Sequence, residues 1–106
     1  MLRADPNTGD VYGFLGEGGY VYFSNINSIT GEAVIIVNGE EKITKRVFVF
    51  GQQSIAFEFT ADDVNKLGVG EHPYTLYTKD TGGIKNTLIP DPLNDMRPVF
   101  KIEGQE

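Results

Sequence analysis

The sequence predicts a single all-β domain, an antiparallel β-sandwich of about seven or eight strands with one short helical turn. Turn signals built from glycine, proline and asparagine recur about every ten residues, a spacing typical of a sandwich or a barrel. The chain also contains seven Phe and five Tyr among many Val and Ile, and these side chains favour strands. At 106 residues it is long enough to form one hydrophobic core without metals or disulfides.

The clearest strand is Ser54–Thr60, in which Ile55, Phe57 and Phe59 alternate with small or polar residues. This alternation predicts one buried face and one wet face. The other predicted strands are Val11–Leu15, Tyr20–Ile26, Glu32–Val37, Lys42–Phe50, Pro73–Lys79, Ile84–Ile89 and Val99–Ile102.

A helical turn over Ala61–Leu67 is predicted to link two of these strands. Thr60 can cap its start, and Gly68 suits the residue after its end. Val64 and Leu67 lie three residues apart on one face, and so short a helix must bury that face to be stable. The expected core side chains are Val21, Phe23, Ile35, Ile55, Phe57, Phe59, Val64, Leu67, Tyr74, Leu76, Leu88, Phe100 and Ile102.

Two turns are predicted from their dipeptides. Asn38-Gly39 is a signal for a type I′ hairpin, because both central residues of that turn need positive φ. Thr81-Gly82-Gly83 marks a second turn, between the strands that end at Lys79 and begin near Ile84.

Charge and composition disfavour several classes of function. The net charge is −6 and the longest basic run is Lys45-Arg46, which argues against nucleic-acid binding. No cysteine is present, so disulfides and thiolate chemistry are excluded. Met1–Pro6 lacks the apolar region of a signal peptide, and the apolar run Ala33–Val37 is too short for a membrane span. We therefore expect a protein made in the cytoplasm, or a domain of a longer chain, that does not engage a membrane.

No convincing metal site or catalytic histidine is visible. His72 is the only histidine, and we interpret it as a partly exposed turn residue. Asp5–Asp10 faintly resembles a calcium loop but has Gly9 where an acid is needed, so we interpret it as a turn-forming segment. Asp91, Asn94 and Asp95 stand in a proline-rich loop and are interpreted in the same way.

Two further clusters also have structural explanations. The glycine-rich stretch Gly13–Gly19 lacks the Lys-Ser/Thr of a phosphate loop and predicts a hairpin turn with close backbone approach. The acidic residues that could supply a pair for glycoside hydrolysis are Glu58, Asp62, Asp63 and Glu71. Glu58 falls on a wet strand face and the two Asp suit a helix start, so we expect no catalytic residue, no cofactor and no enzyme activity.

Exposed aromatic residues are the remaining candidates for a binding site. Tyr12, Tyr20, Tyr22 and Tyr77 could form a stacking surface for sugars or for single-stranded nucleic acid, of which the acidic charge balance disfavours the second. The segments Tyr20–Phe23 and Val47–Phe50 are apolar on both strand faces, whereas a sandwich hides only one face of each strand. Either the chain's own loops cover the second face, or it is a docking surface. The predicted partner-binding residues are Val47, Phe48, Val49, Phe50, Tyr20 and Tyr22.

The second half of the chain also carries a family pattern. Its motifs are the alternating strand Ile55–Phe59, the capped turn Thr60–Val64, then Leu67, Gly70, Tyr74–Tyr77, Asp80–Gly83, Thr87–Ile89 and Val99–Ile102. In this order they resemble the immunoglobulin-like N-terminal domain of phage baseplate upper proteins and related prophage modules.

This resemblance covers about half of the chain and implies an immunoglobulin-like sandwich without catalytic or ligand-binding residues. The chain departs from the family pattern at Pro73, in its first half, and in the long loop Pro90–Pro98. The expected function is therefore a non-enzymatic bacteriophage virion module, in a baseplate, a tail or a head decoration. Its expected partners are other virion proteins or copies of itself. The alternative is a carbohydrate-binding surface module.

Overall fold

The computed structural model describes residues 2–5, 8–24, 30–51, 53–89 and 97–104. These ranges contain nine strands and one helix, which confirms the predicted all-β, sandwich-like fold with one short helix. In chain order the elements are β1 (Arg3–Ala4), β2 (Val11–Phe14), β3 (Gly19–Ser24), β4 (Thr30–Asn38), β5 (Lys42–Phe50), β6 (Ser54–Phe59), α1 (Ala61–Leu67), β7 (Gly70–Asp80), β8 (Lys85–Ile89) and β9 (Val99–Glu103).

The strands form a large sheet and a small one. The large sheet has the order β1-β2-β9-β7-β4-β5, with β8 also paired to β7, and the small sheet contains β3 and β6. The first residues of β7 pair with β9, and its remainder lies between β4 and β8. The core lies between the two sheets, since its buried side chains come from both of them.

One strand pair differs from the prediction of a purely antiparallel sandwich. Strands β2 and β9 pair in parallel, with Val11 opposite Phe100 and Gly13 opposite Ile102. A parallel pair needs a long connection, and here most of the chain lies between the two strands. A local sequence pattern does not predict pairing between strands that lie so far apart in the chain.

A chain of aromatic rings fills the space between the sheets. Phe59 lies 5.2 Å from Phe100, and Phe100 lies 5.1 Å from Tyr74, measured between ring centroids. Phe23 continues the chain, 6.1 Å from Tyr74 and 6.0 Å from Phe57. Such edge and tilted arrangements stabilise a core beyond the area that they bury.

The core contains most of the side chains predicted for it. All of them are buried except Phe23 and Leu88, which pack at its margin. The structure adds to the core Leu2, Val11, Ala33, Val37, Ile43 and Val49.

Helix α1 has the predicted bounds and the predicted caps. The Thr60 hydroxyl accepts a bond from the Asp63 backbone N–H at 3.1 Å, and the Asp63 carboxylate accepts one from the Thr60 N–H at 2.9 Å. Gly68 ends the helix with a positive φ of 80°. Val64 and Leu67 are completely buried, so the helix covers part of the core beside the narrow small sheet.

The hairpin predicted at Asn38-Gly39 is confirmed, since β4 and β5 pair antiparallel, but its predicted type I′ turn is wrong. Asn38 pairs with Lys42, so the loop has three residues, and Gly39 does not adopt a positive φ. The loop instead contacts the end of α1, where the Glu40 N–H donates a hydrogen bond to the Leu67 carbonyl at 3.0 Å. A Cβ on Gly39 would lie 2.8 Å from Leu67 Cα, so this glycine is required for close approach rather than for its turn type.

Lys45 of β5 ties the large sheet to the start of α1. Its Nζ lies 2.7 Å from Asp63 Oδ2 and 5.9 Å from the centre of the Phe59 ring. Burial alone would raise the pKa of Asp63, but hydrogen bonds from Lys45 and Thr60 outweigh it and hold that pKa below its ordinary value.

We predict that Leu67→Ala lowers the free energy of unfolding by about 2–5 kcal/mol, because it leaves a cavity under a helix that cannot collapse onto the core. Thr60→Ala loses a cap and should cost less, about 0.5–2 kcal/mol. Urea unfolding of both variants checks the order. A near-neutral Leu67→Ala would show that α1 contributes little to the core.

We predict that Asp63 stabilises the fold at neutral pH and that this stabilisation is lost in acid. Because the folded-state pKa is depressed, the contribution is fully present above the unfolded pKa of about 3.9 and disappears as the pH falls through the folded value. Asp63→Asn should therefore be less stable than the parent at neutral pH and approach it in acid. Urea midpoints across that range would contradict this if the difference stayed constant.

Candidate functional site

The outer face of β5 carries the most exposed phenylalanines of the described chain. Phe48 is 55% exposed and Phe50 is 72% exposed, and their ring centroids lie 4.8 Å apart. On the other face of the same strand Val49 is completely buried and Val47 is half-buried. The predicted partner-binding segment therefore divides, with Phe48 and Phe50 outward and the two valines inward.

Charged and polar residues surround these rings. Phe48 lies opposite Glu32 and Phe50 lies opposite Thr30 on β4, while exposed Arg46 precedes them on the same face. We call Arg46, Phe48 and Phe50 the β5 patch. An apolar centre with a charged rim is typical of protein interfaces, in which Phe and Arg are both enriched.

The second aromatic surface lies on the outer face of the small sheet. Tyr20 is 51% exposed and Tyr22 is 67% exposed, and their ring centroids lie 6.2 Å apart with 31° between the ring planes. Tyr20 lies opposite Glu58, and a hydrogen bond to that carboxylate raises the pKa of the Tyr20 phenol.

The two tyrosines line an open groove of about 680 Å³. Its other lining residues include Arg3 and Glu17, so the groove offers flat rings, one cation and one carboxylate. Gly18, also in the lining, packs closely against the end of β6, because a Cβ there would lie 2.5 Å from the Phe59 carbonyl oxygen. Sequence reasoning missed Arg3, because a two-residue strand gives no periodic signal.

The four tyrosines considered as one stacking surface lie on two different sheets. Tyr12 and Tyr77 belong to the large sheet, on β2 and β7, whereas Tyr20 and Tyr22 belong to the small one. Lys101 Nζ lies 5.4 Å from the centre of the Tyr12 ring, and Lys85 Nζ lies 4.3 Å from that of Tyr77. Only Tyr20 and Tyr22 form a pair that lines a groove.

His72 is a buried strand residue, not the partly exposed turn residue that the sequence indicated. Strand β7 begins at Gly70, and the alternation that buries Tyr74 also turns His72 inward, where it is 8% exposed. Its Nε2 lies 2.7 Å from the Gly68 carbonyl oxygen, which can only accept, so Nε2 carries the proton. The His72 ring is therefore hydrogen-bonded to the residue that follows α1.

The described residues contain no group of three or more His, Cys, Asp or Glu that could hold a metal. Asp5 and Asp10 instead organise a turn, in which the Asp5 N–H donates to the Asp10 carbonyl at 2.8 Å. The Asp10 carboxylate accepts from the Val99 N–H at 3.0 Å and lies 3.6 Å from Lys101 Nζ. Asp91, Asn94 and Asp95 lie outside the described residues.

The acidic residues weighed as a hydrolytic pair are dispersed. Asp63 belongs to the helix cap, and Asp62 lies 3.3 Å from Lys66 on the same helix. Glu58 lies on the small sheet beside Tyr20, and Glu71 is exposed on β7 of the large sheet.

The glycine-rich stretch is not the predicted hairpin turn. It carries the chain from β2 in the large sheet to β3 in the small sheet, and these strands do not pair with each other. The predicted close approach is present at Gly18, and the Gly16 N–H donates to the Asn65 side chain of α1 at 2.7 Å.

The fold and these surfaces define a small β-sandwich with two separate exposed aromatic surfaces, the β5 patch and the tyrosine groove. No family model, curated protein or solved structure matches the chain. Among the described residues, no helix is long and apolar enough to cross a membrane.

Proposed function

We propose that the chain is a non-enzymatic structural or accessory module of a bacteriophage virion that docks onto other virion proteins or onto copies of itself. A place in the baseplate, the tail or the head decoration fits this role, with synthesis in the host cytoplasm. The virion context rests on the resemblance of Ile55–Ile102 to phage immunoglobulin-like domains. The docking role is supported by the exposure of Phe48 and Phe50 next to each other on one strand.

The energetics favour a covered β5 patch. Burying a phenylalanine side chain contributes about 1.5–3 kcal/mol, so two neighbouring rings left in water are a large unused stabilisation. The rings belong to a nine-residue strand that is paired to β4 over its whole length, so the backbone that carries them is held in place before any partner arrives. A partner therefore does not have to order this backbone on binding.

We predict that Phe48→Ser with Phe50→Ser leaves the thermal melt almost unchanged and abolishes association with virions. The matched control is Val49→Ser on the inner face of the same strand, which should unfold the domain because that side chain is completely buried. Thermal melts, light scattering and cosedimentation with particles from the source of the chain separate the two effects. Unchanged cosedimentation of the double variant would contradict docking through β5.

The tyrosine groove supports a second candidate function, carbohydrate binding. Aromatic rings present flat apolar faces on which a sugar can stack, and Arg3 and Glu17 beside them can pair with hydroxyl groups. The net charge of −6 favours a neutral or cationic glycan over an anionic one.

We predict that, if this second function holds, Tyr22→Ala removes saturable signal on a glycan array and Tyr77→Ala does not. Tyr77 is the matched control because it is a strand tyrosine of the large sheet, away from the groove. A glycan signal that survived Tyr22→Ala, or no signal for the parent chain, would remove this candidate.

A further inference from the structure

The outer face of the large sheet gathers basic side chains from several strands. On β4, Ala33, Ile35 and Val37 belong to the core, so the residues that alternate with them face outward. The same alternation on β5 and β7, and the pairing of β8 with β7, bring four cations to the outer face. They are Lys42, Arg46, Lys79 and Lys85. We call the outer surface of β5, β4, β8 and the part of β7 that pairs with β4 the basic face.

The basic face differs in charge from the rest of the chain. It carries four of the nine basic side chains. The chain has fifteen acidic residues, but Glu32 is the only acid among the described residues of these strands that faces outward here. Within a chain of net charge −6, this face is therefore positive, and the remaining surface is more acidic than the net charge indicates.

No ion pair within the described chain neutralises these four cations. Its ion pairs use Lys45, Lys66 and Lys101 instead. On the basic face, Arg46 lies opposite Val34, which is apolar. Lys79 lies between Glu32 on one neighbouring strand and Lys85 on the other. Like charges directly opposite each other destabilise a sheet, so acids supplied by a partner would relieve this arrangement.

Apolar side chains lie among the cations. Phe48 is more than half exposed, and Ile36 is half-buried on the neighbouring strand. Val34 lies between Arg46 and Tyr77 in register and is almost completely buried, although it faces away from the core. The basic face thus continues the β5 patch across the sheet. An apolar centre within a charged rim is typical of protein interfaces, and a positive rim is complementary to an acidic one.

A protein suits this face better than a nucleic acid does. A nucleic acid is acidic along its whole length, so the net charge of −6 opposes its approach. Single strands also bind by stacking their bases on aromatic rings, and here Lys85 Nζ lies over the Tyr77 ring, 4.3 Å from its centre. A protein partner can instead place a few carboxylates opposite the cations and apolar groups opposite Phe48.

We propose that the basic face docks onto an acidic protein surface, with Phe48 in the apolar centre and with Arg46 and Lys79 paired to carboxylates of the partner. This inference deepens the proposed docking function and rests on it, since it states the chemistry of the partner. The charges steer the partner and fix its orientation, whereas burial of the Phe48 ring supplies affinity.

Charge reversal tests the acidity of the partner. Arg46→Glu and Lys79→Glu, each alone, should weaken binding to virions by about tenfold or more, because like charges across an interface repel. Lys66→Glu changes the net charge equally but lies on α1, away from the basic face, so it should bind as the parent does. Thermal melts establish that each variant is folded. Raising the salt concentration should weaken the parent's binding and affect Arg46→Glu less.

Cross-linking with a carbodiimide tests the contact itself, because this reagent joins a lysine amine to a carboxylate without a spacer. The parent should be linked through Lys79 or Lys85 to an Asp or Glu of a virion protein, which mass spectrometry of the joined peptides would identify. Lys79→Arg with Lys85→Arg keeps the charges and removes the amines, so it should bind as the parent does but lose these cross-links. Nuclease treatment of the particles should change neither result.

The outcomes separate this inference from the proposed function. If the double serine variant of the β5 patch loses virion binding but the two charge reversals do not, docking stands and the acidic partner is overturned. Binding that disappears on nuclease treatment would also overturn it, because the occupant would then be a nucleic acid. A parent chain that binds no virion protein would overturn both proposals.

Discussion

The structure depends on how helix α1 covers the part of the core beside the small sheet. Two strands face a sheet that is six strands wide along its main order, so the small sheet alone cannot bury the inner face of the large one. Val64 and Leu67 of α1 supply the missing cover, and both are completely buried. The contacts that hold α1 in place include the Thr60–Asp63 capping box, the ion pair from Lys45, and the backbone bond from Glu40.

The same constraint shapes the surface of the chain. Lys45 holds α1 beside the first half of β5, and the outward aromatic rings lie at the other end of the strand. Phe48 and Phe50 project from that end, and the inward Val49 anchors it to the core. The rigidity that the fold gives to β5 is what would let two exposed rings act as a docking surface. The tyrosine groove lies between β3 of the small sheet and β1, at the edge of the large sheet opposite to β5, and would function independently.

Local sequence patterns predicted the individual strands and the helix, but not how the strands pair or which face of β5 is exposed. Capping chemistry around Thr60 located α1 correctly, and alternation in β6 assigned its buried face. Alternation could not tell which face of β5 is outward, because Val47–Phe50 is apolar throughout and only the cross-sheet packing of Val49 decides it. His72 was misassigned because β7 begins before the proline that suggested a turn. Pairing between strands distant in the chain, as in β2 with β9, has no local signature.

Docking through β5 requires that a partner protein covers the outer face at the end of this strand. Amide hydrogen exchange, compared between the isolated dilute chain and the chain assembled with virions or with itself, reports directly on this strand. We expect residues 46–50 to gain protection on assembly, while β3, which carries Tyr20 and Tyr22, exchanges unchanged. Protection gained at β3 with no change at β5 would contradict it, because the partner would then occupy the tyrosine groove.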